Sequence, residues 1–144
     1  MASSETRGVR CVVVTPERAI LDERVDFVAL PMYDGELGVL PGRAPLIGRL
    51  GYGELRLRHG AATRRYFVDG GFAQVRDDVV TVLTAKAQRA DEINAAAARE
   101  ALEAANAPAA TPEAREAQIK AQQRAWGQLQ VLRHEQGTPG TAAH

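Results

Sequence analysis

A single cysteine, Cys11, leaves no possibility of an internal disulfide. It lies in the apolar run Cys11-Val12-Val13-Val14 and reads as a small buried hydrophobe, in keeping with a reducing compartment. Charge of one sign is also missing. Eighteen basic residues face eighteen acidic ones, with 12 against 11 in residues 1–88 and 6 against 7 in residues 89–144. Such a chain has no general field to attract nucleic acid or an anionic membrane. No run approaches the ~18 consecutive apolar residues of a membrane span. The polar start Met1-Ala2-Ser3-Ser4-Glu5-Thr6-Arg7 lacks a secretory signal's apolar stretch. Membrane association is therefore expected only through partners.

Constellations for chemistry are scarce as well. The three histidines, His59, His134 and His144, are scattered, with no His-Glu-x-x-His, no paired cysteine ligands and no Gly-x-Ser-x-Gly. Gly35-Glu36-Leu37-Gly38 is not followed by a Gly-Lys-Ser/Thr or a helix, so it reads as a tight, proline-braced excursion between strands rather than a phosphate cradle. Gly51-Tyr52-Gly53 opens an alternating strand, which excludes a dinucleotide fingerprint. Asp34 and Glu36 are expected to be solvated, and Asp77-Asp78 to make a hairpin turn. No catalytic residue, metal ligand or cofactor is expected.

What is present divides the chain near residue 88. Ten of the thirteen glycines and every Phe and Tyr precede it, whereas residues 91–110 hold ten alanines and no aromatic. The first part reads as short strands at 12–14, 25–30, 54–58, 66–68 and 79–83, broken by Pro16, Pro31, Gly60, Gly70-Gly71 and Asp77-Asp78. Glu54-Leu55-Arg56-Leu57-Arg58 alternates strictly, as a half-solvated antiparallel strand does. Gly70-Gly71 is expected to adopt positive φ or a bulge that turns Phe72 into the core. With no room for helical crossovers, the fold class is α+β: an antiparallel β-sandwich at 1–88, a helical hairpin at 89–136 and a flexible tail at 137–144.

In the hairpin, Asp91 reads as the cap of a first helix with Ile93, Ala97, Ala101 and Ala104 on one stripe. Asn106-Ala107-Pro108-Ala109-Ala110 ends it, and Thr111-Pro112-Glu113 opens a second helix running to about Arg133 or His134. Ile119, Trp126, Leu129 and Leu132 form its apolar stripe. Trp126 has two readings, a core side chain or an anchor for a partner. Alanine faces bury little apolar area, so the hairpin is expected to be marginal when undocked and able to exchange surfaces.

The stretch Gly35-Glu36-Leu37-Gly38-Val39-Leu40-Pro41-Gly42-Arg43-Ala44-Pro45-Leu46, followed by Tyr66-Phe67-Val68-Asp69-Gly70-Gly71-Phe72-Ala73-Gln74-Val75, resembles the two signature segments of the epsilon subunit of F-type ATP synthases. The resemblance extends from about Val9 to Arg133. It implies a non-catalytic rotor subunit of a proton-driven synthase, coupling c-ring rotation to the catalytic head. Its sandwich would bind the gamma subunit and the c-ring. Its helices would contact the alpha and beta subunits and restrain ATP hydrolysis when extended. The location implied is the cytoplasmic face of the cell membrane, peripheral to it.

The partner-binding residues implied in the first signature are Glu36, Leu37, Gly38, Pro41, Arg43 and Pro45. Glu36 falls at the turn that looks toward the c-ring. Arg43 falls near the gamma contact, where most relatives carry histidine, and it fixes a positive charge there. Gln74 stands where an acidic residue is common. On the second helix Arg115, Lys120, Arg124 and Arg133 face either acidic partner surfaces or solvent, and Trp126 is the aromatic candidate. Some relatives bind ATP through an Ile/Leu-Asp-x-x-Arg motif. Here Ile93-Asn94-Ala95-Ala96-Ala97 lacks both charges, leaving Arg124 as a weak remnant, so weak or no ATP binding is expected. The reading from another class is a sandwich-and-hairpin adaptor unrelated to energy conversion.

Overall fold

The computed structural model describes residues 8–142, with side chains through Gly137. The polar start at 1–7, His144 and the last residues of the expected tail lie outside the described residues. Eight strands come first: β1 (Val9–Val14), β2 (Ala19–Val25), β3 (Phe27–Met32), β4 (Gly35–Val39), β5 (Leu46–His59), β6 (Ala62–Arg76), β7 (Val79–Leu83) and β8 (Ala87–Arg89). A 3-10 turn at Ala90–Glu92 leads to helices α1 (Ala95–Ala104) and α2 (Pro112–Ala142).

The strands run β2-β1-β7-β6-β5-β3-β4, with β8 added to β6. All pairings are antiparallel except β1 with β7, which is parallel. The sheet folds over on itself, so β1 meets β3 and β2 meets β5 across the core although neither pair is hydrogen-bonded. Val9, Cys11, Val13, Val28, Leu30, Val39, Leu55, Leu57, Val75, Val80 and Val82 fill the space between the layers. Cys11 is fully buried there, and burial pushes its thiol up to about 12.

The long β5–β6 ribbon serves both layers. Toward its loop end Leu55 and Leu57 on β5 and Tyr66 and Val68 on β6 point inward, whereas at the other end Leu46, Leu50, Ala73 and Val75 do so. The inward parity therefore reverses around Gly51, Gly70 and Gly71. Gly70 and Gly71 take φ of 71° and 107°, as expected from the sequence. A Cβ on Gly71 would lie 1.9 Å from the Leu83 carbonyl oxygen, so only glycine fits where β6 passes from β7 to β8. The consequence for Phe72 is opposite to the expectation: it faces outward and is 52% exposed. Asp77 and Asp78 both have positive φ and close the β6–β7 hairpin, the geometry of a two-residue type I′ turn.

The glycine-rich signature is itself a strand rather than an excursion. Gly35–Val39 pairs along β3, and Gly38 lies against the Phe27 ring, where a Cβ would meet Cε1 at 3.0 Å. Only the following segment, residues 40–45, leaves the sheet. Its Gly42 amide donates to Asp78 Oδ1 at 2.8 Å, tying it to the β6–β7 turn.

The hairpin begins later than the sequence suggested. Asp91 sits in the 3-10 turn and pairs with Arg89, while Glu92 accepts from the Arg89 amide at 2.8 Å. Asn94 is the cap of α1, accepting from the Ala97 amide at 3.0 Å. The inward residues of α1 are Ala95, Ala98, Leu102 and Ala105, not Ala97, Ala101 and Ala104; the helical period says which residues share a face, and packing against α2 selects the neighboring face. Thr111 caps α2 as expected, accepting from the Ala114 amide at 3.0 Å. The helix then continues past Arg133 and His134 to Ala142.

The predicted stripe of α2 is also displaced. Ala125, Gly127 and Val131 are buried, whereas Ile119 and Trp126 are 41% and 53% exposed. Smaller residues face the sheet because the approach is close. A Cβ on Gly127 would stand 2.9 Å from the Tyr52 carbonyl oxygen and 3.0 Å from Phe67 Cε1.

Candidate functional site

Helix α2 crosses the outer face of the β5–β6 ribbon, covering part of it. Its Val131 forms a small apolar cluster with Phe67 and Ile93, bordered by Tyr52, Ala90 and Leu132. Around that cluster the contact is polar. Arg124 Nε donates to Asp69 Oδ1 at 3.0 Å, and its guanidinium lies over the Tyr52 ring. Gln128 bonds Gln88 at 2.9 Å, His134 Nδ1 lies 2.9 Å from Glu54 Oε2, and Arg65 reaches Glu135 at 3.7 Å. Glu54 is the hub, with only 9% of its side chain exposed and Arg56, Arg65 and His134 around it. The charged face of the strand at 54–58 is thus half covered by the helix. Alternation correctly identified Leu55 and Leu57 as inward, but it could not show what would lie against the opposite face.

Where the ribbon emerges from under α2, its outer face turns apolar and stays open. Ile47 is 72% exposed, Tyr33 66% and Leu83 53%, and Phe72 stands directly between Arg49 on β5 and Leu83 on β7. The Arg49 guanidinium covers the Tyr33 ring at 4.4 Å. A sheet with a filled core that leaves four large apolar side chains on one face has the character of a docking surface. Tyr33, Ile47 and Leu83 were not singled out from the sequence, and Phe72 was expected in the core. The available signal was the glycine pair, which reverses parity and sends Phe72 outward.

The signature residues lie on the β4 edge and the loop after it. Glu36 is exposed on β4 and pairs with Arg56 at 3.0 Å, while Leu37 is partly buried against the core. Pro41, Arg43 and Pro45 are exposed, as is Leu40 beside them. On α2, Arg115, Lys120 and Arg133 face solvent. Arg124 is turned in to Asp69, so it belongs to the sheet contact rather than to the open basic face. Trp126 is 53% exposed and lines grooves shared with Ala95, Arg99 and Leu102 of α1, so it borders the first helix without being buried in a core.

Asn94, which replaces the aspartate of the ATP motif, uses its side chain to cap α1. Among the described residues, no group of three or more His, Cys, Asp or Glu is arranged to hold a metal, and no helix is long and apolar enough to cross a membrane. Ion pairs elsewhere brace the sandwich. Arg64 makes two hydrogen bonds to Glu23 across the layers and holds that carboxyl below the usual range.

Residues 8–90 match the family described as ATP synthase, Delta/Epsilon chain, beta-sandwich domain. The chain is 60% identical over 129 residues to the ATP synthase epsilon chain of Rhodopirellula baltica, covering 88% of this chain and 99% of that one. It is 43% identical over 95 residues to the epsilon chain of Nitratidesulfovibrio vulgaris strain Miyazaki F, covering 66% and 71%. In structure it is similar to a chain of the Euglena gracilis mitochondrial ATP synthase, solved as an assembly of OSCP, F1 and c-ring. The TM-score is 0.80 at 26% identity, over 88% of this chain and 82% of that one. A chain of the Tetrahymena thermophila central stalk and c-ring shares the fold, with a TM-score of 0.64 at 12% identity over 88% and 97%. With its sandwich, its signature strand and its hairpin in the same order, this chain belongs to the ATP synthase epsilon chain family.

Proposed function

We propose that this protein is the non-catalytic rotor subunit in the central stalk of a proton-translocating ATP synthase, peripheral to the cytoplasmic face of the cell membrane. The sandwich attaches to the gamma subunit and the c-ring, and carries rotation toward the catalytic alpha and beta subunits. The observation that carries this reading is the open apolar face of Tyr33, Ile47, Phe72 and Leu83 on a sandwich whose core is already complete. Transmitting load needs a rigid contact, and a flat sheet face with apolar side chains supplies one without a hinge. The exposed β4 edge and the loop from Pro41 to Pro45, with Glu36 and Arg43, form the second attachment, toward the c-ring and the adjoining part of gamma.

The hairpin is the regulatory element. Its contact with the sheet has a small apolar center and a wide polar border, the composition of an interface that can open. Released, the helices present Arg115, Lys120, Arg133 and Trp126 to acidic surfaces of alpha and beta and slow hydrolysis. The test is to add the protein to a matching alpha-beta-gamma complex and follow co-elution and ATP hydrolysis. Wild type is expected to co-elute and slow hydrolysis, and Ile47→Asp is expected to do neither. A wild-type protein that does not co-elute would leave an adaptor for some other partner as the better reading.

A further inference from the structure

The loop at residues 40–45 leaves one amide to be used outside itself. Pro41 and Pro45 have no amide hydrogen, and Pro41-Gly42, with Gly42 at φ 88°, has the residues and the φ of the central pair of a type II turn. The hydrogen bond of such a turn uses the amide after its central pair, so the Gly42 amide can donate elsewhere. It donates to Asp78 Oδ1 at 2.8 Å, and among the described residues this is the one hydrogen bond between residues 40–45 and the rest of the fold. Asp78 is itself fixed. It closes the β6–β7 hairpin at φ 62°, half-buried, and its carbonyl oxygen accepts from the Arg10 amide of β1 at 2.9 Å. Asp77, one residue earlier, has a side chain that is 87% exposed and lies 3.7 Å from Arg76.

We infer that Asp78 is a positioning residue for partner binding: its carboxylate, standing on a turn fixed by β1, β6 and β7, holds the loop in the shape that meets the partner. This rests on the loop being the second attachment and adds what orders it. Without the tie, a segment with no other hydrogen bond to the fold would have to be ordered at the moment of binding, which costs conformational entropy. A carboxylate accepting from an amide makes one of the stronger hydrogen bonds, so a single bond can set which shape of the loop is populated. What the ordered loop presents is Leu40, 56% exposed, and the exposed cation of Arg43. The surface that fits it is apolar and carries a carboxylate.

The experiment uses the full chain and the subassembly of gamma and c-ring from the same synthase. Exchange of the Gly42 amide is followed by NMR in the free protein, and affinity for the subassembly is measured by calorimetry. The proteins compared are wild type, Asp78→Gly, Asp78→Asn, Asp77→Gly and Arg43→Glu. Glycine accepts the positive φ of position 78, so Asp78→Gly removes the carboxylate and keeps the turn. Asparagine tolerates the same backbone and keeps an accepting oxygen. Asp78→Gly is expected to speed Gly42 exchange and to weaken binding, each by roughly tenfold, while Asp78→Asn and Asp77→Gly stay near wild type. Unchanged Gly42 exchange in Asp78→Gly would overturn the inference. So would an equal loss of affinity in Asp77→Gly, which would assign the effect to the turn's backbone, or in Asp78→Asn, which would assign it to charge. If Asp78→Gly binds as wild type while Arg43→Glu does not, the loop is used without being positioned by Asp78; the inference fails and the attachment reading stands. If Arg43→Glu also binds as wild type, the attachment reading itself fails, and this inference with it.

Discussion

Replacing Gly127 by alanine separates the stability of α2 as a helix from its docking on the sheet. In a helix interior alanine is favored over glycine by about 1 kcal/mol, because it restricts the unfolded backbone. That gain applies whether or not the hairpin is docked. The docking equilibrium responds only to the new methyl group, which would stand 2.9 Å from the Tyr52 carbonyl oxygen and 3.0 Å from Phe67 Cε1. Strand β5 is held by its ladder to β6 and cannot retreat freely, so the helix must lift. A lift of about 0.5 Å forfeits roughly a quarter of the dispersion energy of the contacts beneath it, and overpacking of this kind costs about 1–3 kcal/mol. Docking should weaken by about 1–2 kcal/mol, a five- to thirtyfold larger open population. Hydrogen exchange should then quicken at 121–132 in Gly127→Ala, while a peptide covering α2 becomes more helical. Slower exchange in the variant protein would show that helix propensity dominates and that the close approach is soft, refuting the argument.

Phe67→Ala should cost about 3–5 kcal/mol, since Phe67 is fully buried under the hairpin; thermal unfolding should show the loss, with α2 exchanging first. The Cys11 thiol, raised to about 12 by burial, should resist alkylation at pH 8 until the sandwich unfolds, so labeling should follow denaturant unfolding rather than precede it. Because Arg64 holds Glu23 below its ordinary value of 4.5, the pair's contribution is complete above that pH. It is lost as pH falls through the lower folded-state value. Glu23→Gln should therefore flatten the acid side of a urea-midpoint profile and leave its slope near neutrality unchanged. Partial exposure of both side chains keeps this effect small.

Most of the architecture was legible in the sequence because it rests on local rules. Alternation identified Leu55 and Leu57, the Asp77-Asp78 turn announced its hairpin, and Thr111-Pro112-Glu113 marked the start of α2. The apolar run at Cys11 identified a buried thiol. The errors came where a local signal had two uses. Asp91 has good capping chemistry, but it sits in a 3-10 turn and Asn94 caps α1 instead; the inner face of α1 was missed separately, because alanines occupy both candidate faces and only packing against α2 selects one. Gly35 to Gly38 suggested a loop, yet β3 had a free edge that the segment could pair with.

The sequence by itself determined the two-part division of the chain, the strand chemistry of the first part, the hairpin of the second and the family signature, since these follow from composition, period and turn residues. Tertiary structure decided which faces are hidden. Phe72 is exposed because two glycines reverse the ribbon, Glu54 is covered because α2 crosses it, and Ile119 and Trp126 are left exposed because α2 turns the side bearing Ala125, Gly127 and Val131 to the sheet. A side chain's period tells which residues share a face. What lies against that face depends on distant segments meeting, and that is set by packing in three dimensions.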